Sequence, residues 1–511
     1  MLDKRPNILF ITTDQQRGDC LGVMGRKVHT PHMDLLASEG VLFRSCITPN
    51  LVCQPTRASI LTGLLPRTHG VCDNGIDLPE APAKRGFAAE LARAGYDTAL
   101  IGKAHFATAH TFQPTGTPEC RQSMDRYGPN WTGPYMGFQR VELVVEGHNT
   151  FPPMVPPFGQ SYEAWYHGDG HGELKNRLYA TNAGPDVKGA PQTWHSALPP
   201  AWHNSSWIAD RSIAFLNERR DRPFCLWASI PDPHHPFDCP VPWSMLHRPE
   251  DVDLPPHRTL DLDHRPWWHR ASLEGVPNLA DKELRDFRAK HSRTPVLSDA
   301  QLREVIANYY GMVSLADHNI GRILTELQRL GLAENTLVVI GSDHGDWLGD
   351  HGLLLKGPMA YDGLLRVVGI MRGPGLPRGV VCDEPVSSLD FGATFLDQAG
   401  VERPGHWHGR SLLPVARGEE RRDFAYSEWD LSDSRCGVPL ELRTVRTARD
   451  KLTIEAITGA AEMYDLARDP HETTNVASDP AYALRRRELE AMIAARPADA
   501  RKERLPAVGM A

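Results

Sequence analysis

Asn7-Ile8-Leu9-Phe10-Ile11-Thr12-Thr13, followed at once by Asp14, is a short apolar run that ends on a carboxylate. A strand with one wet face alternates apolar and polar residues, whereas one covered on both faces stays apolar. The run therefore reads as a buried parallel strand. Working outward, residues 32–39 read as a helix stopped by Gly40, 41–47 as a second strand, 56–62 as a short helix ended by Gly63, and 87–94 as a helix ended by Gly95. Residues 97–101 read as a strand, 208–219 as a helix, 224–230 as a strand, 299–330 as a long helix and 336–340 as a strand. This alternation specifies an α/β fold with a large, mainly parallel sheet.

Four of these strands stop at titratable residues. They are Asp14, the pair Lys103 and His105, then His234, then Asp343 with His344. In open α/β sheets the ligand crevice lies beyond the carboxyl ends of the strands, so residues far apart in sequence converge there.

Residues 110–205 and 236–297 are rich in Pro, Trp and His and fit no regular pattern; they read as insertions that wall a substrate site. After Leu413 the pattern changes. Residues 424–429 and 442–454 read as strands of a smaller antiparallel unit, and 481–495 as a last helix. The expected organisation is a catalytic α/β domain over 1–413 and a C-terminal α+β subdomain over 414–511. Among 511 residues, 41% are hydrophobic and 23% charged, an ordinary globular balance. A net charge of -8 argues against a general nucleic-acid surface. The nine cysteines are odd in number and irregularly spaced, which fits neither a disulfide framework nor a C-x-x-C zinc site. The apolar run near the N-terminus is too short for a signal peptide, and nothing approaches the ~20 apolar residues of a membrane span. The expectation is no membrane partner and a reducing compartment, most simply the cytoplasm.

The most specific chemistry lies in Leu51-Val52-Cys53-Gln54-Pro55-Thr56-Arg57-Ala58-Ser59-Ile60-Leu61-Thr62-Gly63. Cys53 alone reads as a small buried residue beside a proline suited to a helix start. The whole run, C-x-P-x-R followed by A-S-x-L-T-G, resembles the signature by which type I sulfatases mark a cysteine for oxidation to formylglycine. Gly95-Tyr96-Asp97-Thr98 leading to Gly102-Lys103-Ala104-His105 resembles the second sulfatase signature. Ser342-Asp343-His344-Gly345-Asp346, with Gly349-Asp350-His351-Gly352-Leu353 and Lys356, resembles a third block. Tyr464-Asp465-Leu466, Asp469-Pro470 and Asn475 look like the family's ending. The matches span nearly the whole chain and point to the sulfatase and phosphonate monoester hydrolase branch of the alkaline phosphatase superfamily.

That resemblance implies an alkaline-phosphatase-like fold and a hydrolase of sulfate monoesters acting through a hydrated formylglycine made from Cys53 by a formylglycine-generating enzyme. It implies one divalent metal held by Asp14, Gln15, Asp343, His344 and the modified Cys53. Arg57 would bind the formylglycine and the metal-ligating carboxylates. Lys103 and Lys356 would grip the sulfate oxygens, His105 would take a proton from the second hydroxyl, and His234 would sit by the leaving oxygen as donor or general acid. Asn74, in Asp73-Asn74-Gly75, reads first as an Asn-Gly turn and second as an anion contact. Many relatives have Asp where this chain has Gln15 and Asn where it has His344. An amide and an imidazole move the site toward manganese, with calcium as the second choice. The same combination occurs in relatives resembling choline sulfatases and phosphonate monoester hydrolases. The latter place Tyr and Thr at the positions of Lys103 and His105, which tilts the reading toward sulfate. Phosphonate monoester or phosphodiester hydrolysis is the alternative. Relatives often self-assemble through loops and C-terminal segments, so a homo-oligomer is allowed.

Overall fold

The computed structural model describes residues 5–128, 130–145, 152–218 and 221–510. Eight strands form the main sheet. From one edge they run Val380–Cys382, Val41–Phe43, Gly369–Arg372, Thr336–Ser342, Asn7–Thr13, Phe224–Ser229, Asp97–Gly102 and Arg140–Leu143. All neighbours are parallel except Gly369–Arg372, which is antiparallel to both of its own. Asn7–Thr13 is central, with every residue buried. Its side chains alternate between two cores, as a pleat requires. Leu9 and Ile11 face helices Pro31–Ser38, Asn204–Asn217 and Asp299–Arg329, while Ile8 and Phe10 face Cys53–Thr62, Phe87–Arg93 and Phe391–Gln398.

The long helix begins at Ser298, whose hydroxyl accepts from Gln301 N while Gln301 caps back, a reciprocal start. Most expected elements lie within a few residues of their expected bounds. Residues 41–47 do not form one strand. Val41–Phe43 joins the main sheet, and Cys46–Ile47 joins a three-stranded sheet with Arg366–Val367 and Val386–Ser387. Residues 442–454 are likewise two strands, Leu440–Arg446 and Asp450–Glu455. The Thr447 hydroxyl accepts from Arg449 N and Asp450 N and turns the chain between them. The insertions are more regular than their composition implied, with helices Ser161–His167, Gly172–Ala180, Trp267–Glu274 and Lys282–His291, and Arg140–Leu143 as a sheet edge. Arg219, the expected end of one helix, and residues 1–4 lie outside the described residues.

The C-terminal sheet is antiparallel, in the order Ala425–Leu431, Leu440–Arg446, Asp450–Glu455 and Ala461–Asp465, with helix Ala483–Ala494 packed on it. Gly509–Met510 pairs with His110–Thr111, and Val508 N donates to the Gly75 carbonyl at 2.8 Å. The nine cysteines are free and buried. No helix of the described residues is long and apolar enough to cross a membrane.

Candidate active site

The helix expected from Thr56 starts three residues earlier, at Cys53. Pro55 is tolerated because the first turn of a helix has no use for its missing N–H. Asn74 Oδ1 accepts from Gln54 N at 3.0 Å, and Gln54 Oε1 accepts from Gly75 N at 2.9 Å. The Asn-Gly turn therefore clamps the start of this helix. Cys53 is 1% exposed. Arg57 is four residues on, so it lies on the same helix face.

Arg57 ties the site together. Its Nε donates to Asp343 Oδ2 at 2.8 Å, and Nη2 lies 3.4 Å from Asp14 Oδ2. Its Nη1 donates to the Lys103 carbonyl at 2.9 Å and to Ser229 Oγ at 2.8 Å. Four strand ends are thus fixed by one guanidinium. Gly102 makes the tight exit possible. It has a φ of +112°, and a Cβ there would collide with the Ser229 carbonyl.

Asp14, Cys53, Asp343 and His344 present ligand atoms that all lie within 4.8 Å of one another. His344 Nδ1 donates to the Gly345 carbonyl at 2.8 Å, which leaves the Nε2 lone pair facing the cluster, 3.0 Å from Cys53 Sγ. That is how a protein orients an imidazole for a metal. Two carboxylates, one imidazole and a residue at 53, with Arg57 behind the carboxylates, fit a divalent cation. Gln15 sits at the edge with a φ of +66°. Its N donates to Asp343 Oδ1 at 3.0 Å, its Nε2 donates to Asp346 Oδ2 at 2.6 Å, and its Oε1 lies 3.2 Å from His235 Nδ1.

Two ammonium groups reach the cluster. Lys103 Nζ is 2.5 Å from Asp14 Oδ2. Lys356 Nζ is 3.1 Å from Cys53 Sγ, 2.9 Å from His234 Nε2 and 3.2 Å from His344 Nε2. Burial and the nearby Cys53 would raise the Asp14 pKa, but Lys103, His234 and Arg57 outweigh them and hold it well below the usual carboxylate range. Burial likewise opposes ionisation of Cys53, and Lys356, His344 and Lys103 bring its thiol well below its usual value. His105 hydrogen-bonds Cys53, and burial keeps its ring neutral. Burial first, then Lys356, pulls His234 down to about 4. Its Nδ1 donates to the His235 carbonyl at 2.6 Å, so Nε2 is an acceptor and the hydrogen between the two side chains belongs to Lys356.

Every residue singled out from the sequence is in or beside this crevice, Asn74 through its clamp. Three supporting residues were missed. Ser229 anchors Arg57, Asp346 anchors Gln15, and Glu119 accepts from the backbone N–H groups of His105, Phe106 and Ala107 and from Tyr135 Oη. Glu119 comes from the 110–205 insertion, where no local pattern ties it to His105.

A buried cysteine flanked by ammonium groups over a carboxylate–imidazole cluster, at the carboxyl ends of a parallel sheet, defines a metal-assisted hydrolase of tetrahedral oxyanion esters. The model of the Sulfatase family matches residues 6–401, and the chain belongs to that family. The model described as N-sulphoglucosamine sulphohydrolase, C-terminal, matches residues 349–498. The chain is 29% identical over 507 residues to the multifunctional alkaline phosphatase superfamily protein PehA of Trinickia caryophylli, covering 94% of this chain and 92% of that one. It is also 29% identical over 496 residues to an arylsulfatase of Clostridium perfringens (strain 13 / Type A), with the same coverages. The crystal structure of the phosphonate monoester hydrolase of Agrobacterium radiobacter overlays with a TM-score of 0.74 at 27% identity, covering 96% of this chain and 95% of that one. Membership of the family implies a formylglycine and a divalent metal.

Proposed function

We propose that the chain hydrolyses sulfate monoesters. The observation that carries this reading is the pair of ammonium groups, Lys103 at 2.5 Å from Asp14 and Lys356 at 3.1 Å from Cys53 Sγ, around a buried residue 53. Formylglycine at 53, made by a formylglycine-generating enzyme, supplies as its hydrate a nucleophilic hydroxyl and a second hydroxyl that later expels sulfate. Asp14, Asp343, His344 and residue 53, with Gln15 at the edge, would hold a divalent ion, which would supply a Lewis acid. The imidazole donor favours manganese over calcium.

The protein's own groups divide the remaining work. Lys103 and Lys356 hold the non-transferring oxygens in a dry site, where charge counts for more than in water. His105 is kept neutral by burial and hydrogen-bonds residue 53, so its ring is placed to take the proton of the second hydroxyl. Lys356, with His234 behind it, holds the proton nearest the departing alcohol.

A second reading, phosphonate monoester or phosphodiester hydrolysis, is favoured by the overlay with the Agrobacterium radiobacter enzyme and by Gln15 and His344. Sulfur and phosphorus centres of these esters are alike in shape, so both reactions on one site are consistent with the geometry. The test is kcat/KM for an aryl sulfate and an aryl phosphonate monoester with matched leaving groups. A higher value for the sulfate supports the first reading, and a higher value for the phosphonate replaces it with the second.

A further inference from the structure

Lys356 also lines a cavity of about 260 Å³ with largely apolar walls, Leu260, Leu273, Trp347 and Met359 among them. Arg293 and Arg435 also line it. Arg435 Nη1 bonds Asp73 Oδ1 at 2.8 Å, and its guanidinium lies over the Trp429 ring at 5.0 Å. Arg293 Nη2 donates to the Ser272 carbonyl at 3.0 Å. Behind them Arg288 is only 6% exposed. Burial first, and then the neighbouring Arg435, draws the Arg288 pKa down to about 10, against the pull of Asp73. Burial lowers Arg293 as well, with only Cys436 opposing. Asp73 thus faces two guanidinium groups, Arg435 and Arg288, while Arg293 has the Ser272 carbonyl. That carboxylate is already committed to Asn74 N at 2.9 Å and to Trp429 Nε1 at 3.3 Å.

Partly desolvated cations without counter-charge are costly unless something negative meets them. Two of them, Arg293 and Arg435, line the same cavity as Lys356. A sulfate or phosphonate held between Lys103 and Lys356 points its esterified oxygen away from Cys53. The alcohol part then needs a place to lie, and this cavity adjoins Lys356.

We propose that the cavity takes the alcohol part of the ester, and that the preferred alcohol is an apolar, ring-like group carrying a second oxyanion held by Arg293 and Arg435 with Arg288 behind them. This rests on the ester-hydrolase reading and deepens it. Apolar walls recognise the ring, and a planar guanidinium matches a carboxylate or sulfate through two parallel N–H donors. A neutral alcohol fills the cavity and leaves the arginines without a partner.

The experiment uses the metal-replete enzyme with residue 53 converted, and compares 4-carboxyphenyl sulfate with its methyl ester. The acid is expected to have a kcat/KM about tenfold higher, the size of one charge-assisted hydrogen bond. The ester has the better leaving group, which biases the comparison against this result. In Arg293→Gln/Arg435→Gln the ratio is expected to fall to about one, while Arg293→Lys/Arg435→Lys keeps part of it. The same comparison with 4-sulfophenyl sulfate separates a carboxylate-selective pocket from one that accepts any oxyanion. Hydrolysis of both sulfates with a wild-type ratio at or below one overturns the proposal and leaves the ester-hydrolase reading standing. If neither sulfate is turned over, or the double variant does not fold, calorimetry of 4-hydroxybenzoate and its methyl ester with Cys53→Ala decides. Tighter binding of the acid supports the pocket, and equal or weaker binding overturns it.

Discussion

The crevice at the carboxyl ends of the main sheet and the seam beneath the C-terminal sheet are both buried and both crowded with charge. In the seam the cations meet carboxylates, carbonyls and a phenol. Lys451 Nζ pairs with Glu472 and the Ala360 carbonyl. Arg446 donates to Asp362 Oδ2 at 3.1 Å and to the Thr447 carbonyl at 2.6 Å, and Arg265 donates to Tyr464 Oη at 2.9 Å and the Glu472 carbonyl at 3.0 Å. In the crevice Lys356 meets two imidazoles and Cys53 instead of a carboxylate. Displaced pKa values occur in both places. Burial lifts Glu472 to about 7, while Arg446 and Lys451 overcome burial to hold Asp362 low. A displaced pKa therefore does not by itself mark chemistry. What separates the regions is whether the charges are already matched by the protein.

That contrast breaks if the wrong region controls turnover. The largest effect is expected for Cys53→Ala, with sulfate-ester hydrolysis falling on the order of 10⁴-fold or more while the thermal midpoint hardly moves. Retained activity in a steady-state assay would show that residue 53 is not the nucleophile. Next, chelation or Asp343→Ala should cost about 100-fold or more in activity, with metal content falling in parallel by elemental analysis. An active preparation without a divalent ion would remove the metal from the scheme. Lys451→Met tests the other region. It strands Glu472 and is expected to cost about 3–5 kcal/mol in denaturant unfolding, with turnover per folded molecule nearly unchanged. Loss of turnover without loss of stability would erase the distinction between the regions.

Two smaller effects sharpen the picture inside the crevice. Lys103→Tyr/His105→Thr should move the ratio of phosphonate to sulfate kcat/KM by about tenfold toward phosphonate, since it removes one full charge and one base. An unaltered ratio in side-by-side kinetics would show that specificity lies elsewhere. Burial raises the Glu119 carboxyl from 4.5 to about 7. The native state then keeps its proton longer than the unfolded chain does. Its contribution to stability is complete below about 4.5 and is lost as pH rises through about 7. Glu119→Gln should flatten that decline in a series of melts, and an unchanged slope would assign the decline to other groups.

The strand ends were legible because buried apolar runs and the polar residues that stop them are local patterns. Asp14, Lys103, His105, His234, Asp343 and His344 were found that way. Cys53 and Arg57 came from a motif whose four-residue spacing the helix turns into a shared face. The roles of Ser229, Asp346 and Glu119 were not legible, because each acts through a partner on a different element that no local pattern connects to it. The split of 41–47 into two sheets escaped for a related reason. Both halves are apolar, and only the partners Gly369–Arg372 and Arg366–Val367 tell them apart. The family-like ending around Tyr464 is structural, with Tyr464 packed in the seam and Asn475 Oδ1 accepting from Met463 N at 2.9 Å.

The pairing of Gly509–Met510 with His110–Thr111, and of Val508 with Gly75, has a kinetic side. Gly75 belongs to the turn that clamps the helix of Cys53, so the last residues of the fold brace the same turn as the nucleophile. Contacts this distant in sequence form only after a long loop has closed. Helices such as Asp299–Arg329 need only local contacts, whereas the nucleophile's brace, like the pairing of Asn7–Thr13 with Thr336–Ser342, carries the entropy of closing a long loop, like a drawstring.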